Sequence, residues 1–387
     1  MHTELVARQL GLFILARLPD VVRRMVDHAN VLRQHALRLA YACLLELRTN
    51  NMVCPEVPRL REVFLKRRGS IARACPSFRA NVIAFLLLTT FSAVSGRLLE
   101  QHAFCEAHGL KPNIHRKPKI FDTFLLNHEA DMLEIRIFET AKYVDYFVIT
   151  ESPVSTTGTP RRMMYDDIKD RLGVYKDQII YNPLLDAGPG RTTWKREAFM
   201  RNQLFTPITG LSSGDILLVS DVDEIVRPEV LRVLKECKGY NDKLQFMMQL
   251  YYYSFSVKHT TSDGWGAVKG QVYQDGQRLL KPQELRDGLT TNQVFNNSGW
   301  HLSNGFRTVD QMRNKILTYT HTELFNKKFL TKDWIVQKFR KGEDIFDRRS
   351  ERYVFAEPDD IPAYVRGQAR RFHYLLERRG PDAGFED

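Results

Sequence analysis

Asp221 and Asp223 stand two residues apart in Ile216-Leu217-Leu218-Val219-Ser220-Asp221-Val222-Asp223-Glu224, directly after an apolar run. Two carboxylates without a neighbouring His or Cys form a hard-oxygen set suited to Mg²⁺ or Mn²⁺. Residues two apart on a strand point to the same side, so the spacing predicts that both acids face one ligand while Val222 packs inward. A divalent cation held this way keeps positions open for phosphate oxygens. It stabilises, as a Lewis acid, the charge on a departing diphosphate.

The elements around the pair must place it where a ligand can reach. Asp215–Ser220 is an apolar run bounded by Gly214 and Asp221, as expected of a strand buried on both faces. Tyr143–Thr150 and Gln178–Asn182 read as further strands, and so does Leu244–Ser256. Asp131–Lys142, Trp194–Phe205, Val309–Thr320 and Thr331–Lys341 read as helices, and Pro228 opens another that runs to Cys237. Strands alternating with helices predict an α/β domain with a mostly parallel central sheet. Ligands of such sheets bind beyond the carboxyl ends of the strands, where Asp221 and Asp223 fall. The same acidic strand occurs in P-loop NTPases, but these also need Gly-x-x-x-x-Gly-Lys-Ser/Thr to cradle phosphates. The nearest stretch, Gly188-Pro189-Gly190-Arg191-Thr192-Thr193, lacks the Lys and the spacing.

The net charge of +11 suggests a nucleic-acid partner until it is located. Residues 1–79 hold 14 Lys and Arg against 6 Asp and Glu, whereas the other 308 residues hold 43 against 40. The basic excess is N-terminal, and no nucleic acid is expected as a partner. Residues 80–96 (ANVIAFLLLTTFSAVSG) carry no charge and lie between Arg79 and Arg97. As a helix they would span about 25 Å, at the short end for a membrane crossing. With Lys66, Arg67, Arg68, Arg73 and Arg79 before it, the segment reads as a type II signal anchor, its C-terminal side lumenal. A cleaved signal peptide and a buried core helix are the competing readings. The expected divisions are a basic tail over 1–79, an anchor over 80–96, a linker over 97–118, a catalytic domain over 119–377 and a tail over 378–387. Of the five Cys, only Cys105 and Cys237 follow the apolar segment, and they can pair in an oxidising lumen.

An ordered series of motifs surrounds the acidic pair. Ile120-Phe121-Asp122-Thr123-Phe124 and Glu129–Arg136 come first, then Val144–Ser152, Thr156–Arg161 and Trp194-Lys195-Arg196-Glu197. Ser298-Gly299-Trp300-His301, His321-Thr322-Glu323, Ile361-Pro362-Ala363-Tyr364 and Arg371–Leu376 follow. In this order the series resembles glycosyltransferase family 17, the β-1,4-mannosyl-glycoprotein 4-β-N-acetylglucosaminyltransferases, over residues 119–376. The resemblance implies a GT-A-like fold, UDP-N-acetylglucosamine as donor, an N-glycan or glycoprotein acceptor, Mn²⁺ as cofactor, inversion at the sugar carbon and a place in the Golgi membrane.

Carried over by position, Asp223 binds the metal and Asp221 the metal or the ribose. Glu151 is either a nucleoside contact or a loop acid. Arg196 either meets the diphosphate as a planar fork or pairs within its helix. His301 is a third candidate metal ligand. The general base is Asp263, in Ser262-Asp263-Gly264-Trp265-Gly266, or Glu323. The resemblance departs after Gly299-Trp300-His301, where animal members carry a Cys-containing turn and this chain reads Leu302-Ser303-Asn304-Gly305-Phe306. The acceptor is the part of the reading this departure touches.

Overall fold

A computed structural model describes Gly96 and residues 98–260, 264–288, 291 and 293–387. The chain divides into two compact units at Phe104 and Cys105. The expected anchor falls almost wholly outside the described residues. Among those described, no helix is long and apolar enough to cross a membrane.

In the unit from Cys105 onward, β1 (Ile120–Leu125), α1 (Ala130–Thr140), β2 (Tyr146–Glu151), β3 (Ile179–Pro183), α2 (Thr193–Asn202) and β4 (Ile216–Asp221) follow one another, all expected from the sequence except β1, whose residues stand out there only as a motif. These four strands pair in parallel in the order β3-β2-β1-β4. Ile216, Leu217, Leu218 and Val219 of β4 have no exposed surface, as a strand covered on both faces requires. Burying each such side chain contributes about 1.5–3 kcal/mol.

Beyond β4 the expectation of a mostly parallel sheet fails. After β5 (Glu224–Val226) and α3 (Pro228–Glu236) come β6 (Lys243–Tyr252), β7 (Ser254–His259) and β8 (Trp265–Val272). Strand β8 pairs antiparallel with β4 and β6, and β6 with β7. The predicted single strand Leu244–Ser256 is two strands, because the chain reverses at Tyr253, whose φ is 70°. Hairpins need no crossover helix, so β6, β7 and β8 pair antiparallel, while Gly299–Ser303 lies parallel to β6.

Strand β9 (Gly299–Ser303) pairs with β5 and with the end of β6. A Cβ on Gly299 would lie 2.2 Å from the Ile225 carbonyl oxygen, so only glycine lets the two strands approach this closely. The register sets His301 opposite Glu224, beside the acidic turn. Helices α4 (Pro282–Gly288), α5 (Val309–Thr318) and α6 (Lys332–Lys341) complete the elements used below. Residues 378–387 do not form a separate tail, since Arg378, Ala383 and Phe385 are buried in the same core as Phe306 and Phe339. Cys105 and Cys237 form a disulfide.

The chain between β4 and β5 is held from beneath by Arg136 of α1, which has no exposed surface. Its guanidinium forks onto Asp122 of β1 and donates to Ser220 Oγ at 2.6 Å. It also donates to the carbonyls of Asp221 at 2.8 Å and Glu224 at 2.9 Å. Arg136→Met would strand the Asp122 carboxylate in the core and free these carbonyls. Urea unfolding is expected to show a loss of about 3–5 kcal/mol, the usual result of removing one partner of a buried ion pair.

Candidate functional site

Strand β4 ends at Asp221, and Val222 and Asp223 form the turn into β5. The two acids therefore sit on a strand end and a turn, not on one face of a single strand, while Val222 packs inward as predicted. Their surroundings differ sharply. Asp221 accepts from Arg201 Nη1 at 2.6 Å through Oδ1 and from Arg286 Nη2 at 2.7 Å through Oδ2. Burial pushes its acidity toward higher pH, but the two guanidiniums win and hold it well below the usual carboxylate range.

Glu224, the next acid, is saturated. Arg286 binds both its oxygens at 2.8 and 2.9 Å, Trp265 Nε1 donates to Oε1, and the Asp221 N–H donates to Oε2 at 2.7 Å. Asp223 is buried and accepts no hydrogen bond from any described residue. Burial pushes its pKa far up, and Glu129, Asp221 and Glu224 add to this against the opposing charge of Lys315.

Its nearest basic atom is His301 Nε2, 3.8 Å from Oδ2, too far for a hydrogen bond. The other ring nitrogen, Nδ1, is buried without a hydrogen-bond partner. Burial lowers His301 to about 4, so the ring is neutral with a lone pair to give. Its ring lies 4.7 Å from Trp265. Lys315 on α5 donates to Glu129 at 2.9 Å. Burial opposes its charge, but Glu129 and Asp223 raise it above the ordinary lysine value.

With all acids ionised, Asp221, Asp223, Glu224, Glu197 and Glu129 face Arg201, Arg286 and Lys315, an excess of two negative charges. A divalent cation balances that excess, and an unpartnered carboxylate beside an unpartnered imidazole is a donor set that fits one. No described group of three His, Cys, Asp or Glu forms a ready-made metal cluster. A cation here would complete its shell with phosphate oxygens or water, as Mg²⁺ commonly does.

The other expected residues are placed as follows. Glu151 is enclosed, accepting from Met164 N, from Tyr165 N at 3.1 Å, from Tyr181 Oη at 3.0 Å and from Arg161 at 3.2 Å. It shapes the loop after β2 and has no oxygen turned to a ligand. Arg161 ties the same loop to the carbonyls of Leu126 and Asn127 at 2.8 and 2.6 Å.

Arg196 makes no intrahelical ion pair: Nη1 donates to the Thr156 carbonyl at 3.0 Å, and the group rests against Gly158. Glu197 pairs instead with Arg201 and accepts from Thr320 at 2.6 Å. Glu323 is exposed and bonded to His321 Nδ1 at 2.6 Å. Asp263 lies outside the described residues. Arg201, Arg286, Lys315 and Glu129 were not singled out from sequence. Arg286 falls in a stretch with no periodic pattern, and the charge of Lys315 reads as surface until α5 is seen beside the turn.

These features can be set beside known proteins. The family model of glycosyltransferase family 17 matches residues 89–378. The β-1,4-mannosyl-glycoprotein 4-β-N-acetylglucosaminyltransferase of Homo sapiens is 25% identical over 300 residues, covering 67% of this chain and 55% of the relative. The enzymes of the same name from Rattus norvegicus and Mus musculus are 25% and 24% identical, each covering 67% of this chain and 54% of the relative. The chain spans about half the length of these curated relatives. It belongs to glycosyltransferase family 17, a family of sugar-transferring enzymes.

His128, next to Glu129, is buried between Thr318 Oγ1 at 3.0 Å and Asn314 Nδ2 at 3.3 Å. Burial lowers its pKa to about 4, against 6.5 when unfolded. Below pH 6.5 the unfolded chain therefore takes a proton that the folded chain refuses, and stability falls until about pH 4. The expected loss from this residue is on the order of 3 kcal/mol between pH 7 and 4. His128→Gln should flatten that limb of the stability profile in urea titrations at successive pH values.

Proposed function

We propose that the chain, as a family 17 member, transfers N-acetylglucosamine from UDP-N-acetylglucosamine to a mannose of a glycoprotein N-glycan. In this reading the linkage is β-1,4 and the anomeric carbon inverts. The observation that carries the reading is the buried, unpartnered Asp223 carboxylate at the carboxyl edge of the sheet. The names of the relatives supply the sugar and the acceptor, and the β3-β2-β1-β4 order with its ligand groups at the strand ends supports a GT-A-like fold.

Asp223 and His301 would hold a divalent metal, Mn²⁺ in this reading, which when bound supplies Lewis-acid neutralisation of the leaving diphosphate. Asp221 serves the nucleotide side by fixing Arg201 and Arg286, whose hydrogen bonds are spent on the acids but whose positive charge would draw the diphosphate. Arg196, with no anionic partner among the described residues, would add a further donor. Glu151 holds the loop that borders the nucleoside. The acceptor hydroxyl oxygen bonds to the anomeric carbon as the bond from that carbon to the diphosphate breaks. UDP leaves with the electron pair, and a carboxylate takes the hydroxyl proton.

Asp263 and Glu323 are the proposed bases. Glu323 is exposed and ionised, its pKa lowered by its own backbone N–H and by His321, so it would accept the proton as a weak base. The proposed setting is the Golgi lumen behind an anchor at residues 80–96, which the Cys105–Cys237 disulfide supports because such bonds persist in oxidising compartments.

The test uses the full chain, UDP-N-acetylglucosamine and a mannose-terminated N-glycan, with UDP release and glycan mass as readouts. Mn²⁺-dependent transfer is expected, with kcat falling about 10²–10³-fold in Asp223→Ala, the scale of losing transition-state charge stabilisation. Transfer that survives both EDTA and Asp223→Ala overturns the reading. UDP binding without transfer would make the chain a nucleotide-binding protein.

A further inference from the structure

Trp194 is half exposed at the start of α2. An indole left half in water is a costly surface feature and one that marks recognition. It is not isolated. His321 packs against it with ring centroids 4.6 Å apart at 89°, Tyr319 lies 5.1 Å from His321, and Phe346 stacks on Tyr319 at 5.3 Å. Together they make a stepped aromatic shelf, the His321 ring standing edge-on to Trp194 and the Tyr319 ring tilted 43° from His321.

The shelf is bound into the carboxylate cluster. Between Tyr319 and His321, Thr320 is buried and donates to Glu197, which pairs with Arg201 and so with Asp221. Lys315, which feels the charge of Asp223, lies 6.0 Å from the Tyr319 ring. The Tyr319 hydroxyl in turn is raised by burial and feels Glu197 and Asp223. One strip of chain, Thr318–Glu323, thus has a buried edge on the site and an open edge beside Trp194.

Its polar ends are unspent. Among the described residues, the Trp194 indole N–H, the Tyr319 hydroxyl and His321 Nε2 make no hydrogen bond. Glu323, which orients His321 through Nδ1, keeps a largely exposed carboxylate. Flat aromatic faces ringed by free donors and acceptors suit a ligand with an apolar C–H face and a hydroxyl rim. An ionised Glu323 on the rim repels phosphate and leaves a neutral polyol unopposed.

We propose that Trp194, Tyr319 and His321 form the platform on which a pyranose ring of the acceptor glycan stacks. This rests on the transfer reading above, with the acceptor side of the reaction lying along Thr318–Glu323.

The experiment compares the full chain with Trp194→Ala and Trp194→Phe. Calorimetric binding of a mannose-terminated N-glycan is measured in the presence of UDP and Mn²⁺, together with KM for acceptor, KM for donor and acceptor-independent UDP release. Trp194→Ala is expected to weaken glycan binding and raise the acceptor KM about tenfold, while donor KM and UDP release stay within about twofold. Trp194→Phe, which keeps a ring face, should restore most of the affinity. Unchanged glycan affinity in Trp194→Ala overturns the platform. So does a rise confined to donor KM, which would place the nucleobase on the shelf instead. A wild-type chain that binds glycan through Trp194 yet releases no UDP overturns the transfer reading and keeps the platform.

Discussion

Arg136 lies with no exposed surface beneath the turn that carries the acidic residues, and its guanidinium serves five groups at once: Asp122, Ser220 and the carbonyls of Asp221, Val222 and Glu224. A turn that must present carboxylates upward points its carbonyls down into the core, where unpaired oxygens are costly. One buried fork satisfies them, and Asp122 balances its charge on the neighbouring strand. The ring of Phe124, 4.3 Å away, covers the remaining face of the group. The site's geometry is thus set from below, by a cation that never meets the ligand. Above the turn a second pair of cations, Arg201 and Arg286, takes up Asp221 and Glu224 and leaves Asp223 alone.

That asymmetry separates the two acids of the motif chemically. In sequence they are equivalent, two Asp flanking a Val. In the fold one is neutralised by guanidiniums, and the other has no hydrogen-bond partner among the described residues, with a neutral imidazole nearest and Lys315 as the opposing charge. Burial without a partner is unfavourable for Asp223, and local strain of this kind is characteristic of groups kept for a ligand. Gly299 carries a matching constraint, since His301 reaches the turn only because β9 can pack against the Ile225 carbonyl without a side chain.

Three strands of the parallel half were legible because they announce themselves locally, as in the apolar run Ile216–Val219 and the aromatic and β-branched Tyr146–Ile149, but β1 does not, its Asp122 and Thr123 interrupting the apolar pattern. The antiparallel half was less so. Nothing in Tyr251-Tyr252-Tyr253 signals a reversal, because the residue bearing φ of 70° is a tyrosine held there by packing and by its bond to the Glu343 carbonyl, not a glycine. Of the site, Asp221 and Asp223 could be picked out by residue type and spacing, and His301 by its place in the motif series. Their cations could not, because Arg201, Arg286 and Lys315 arrive from three helices. Arg136 did carry a signal, a lone Arg between Ile135 and Ile137, although a helix reading assigns it to the solvent face.

The disulfide between Cys105 and Cys237 spans 132 positions, and every strand and helix from β1 through α3 lies inside that ring. His301, Arg286 and Lys315 lie outside it. A chain emerging from the ribosome offers both cysteines before any of these three residues exists. The half that bears the acids can therefore be sealed covalently while its complementary groups are still being synthesised. In the chain-entropy view, a closure of this length removes about 4–5 kcal/mol of freedom from the unfolded chain. Assembly of the centre then becomes the docking of a later segment onto an already tethered one, and the order of translation becomes an order of construction for the site.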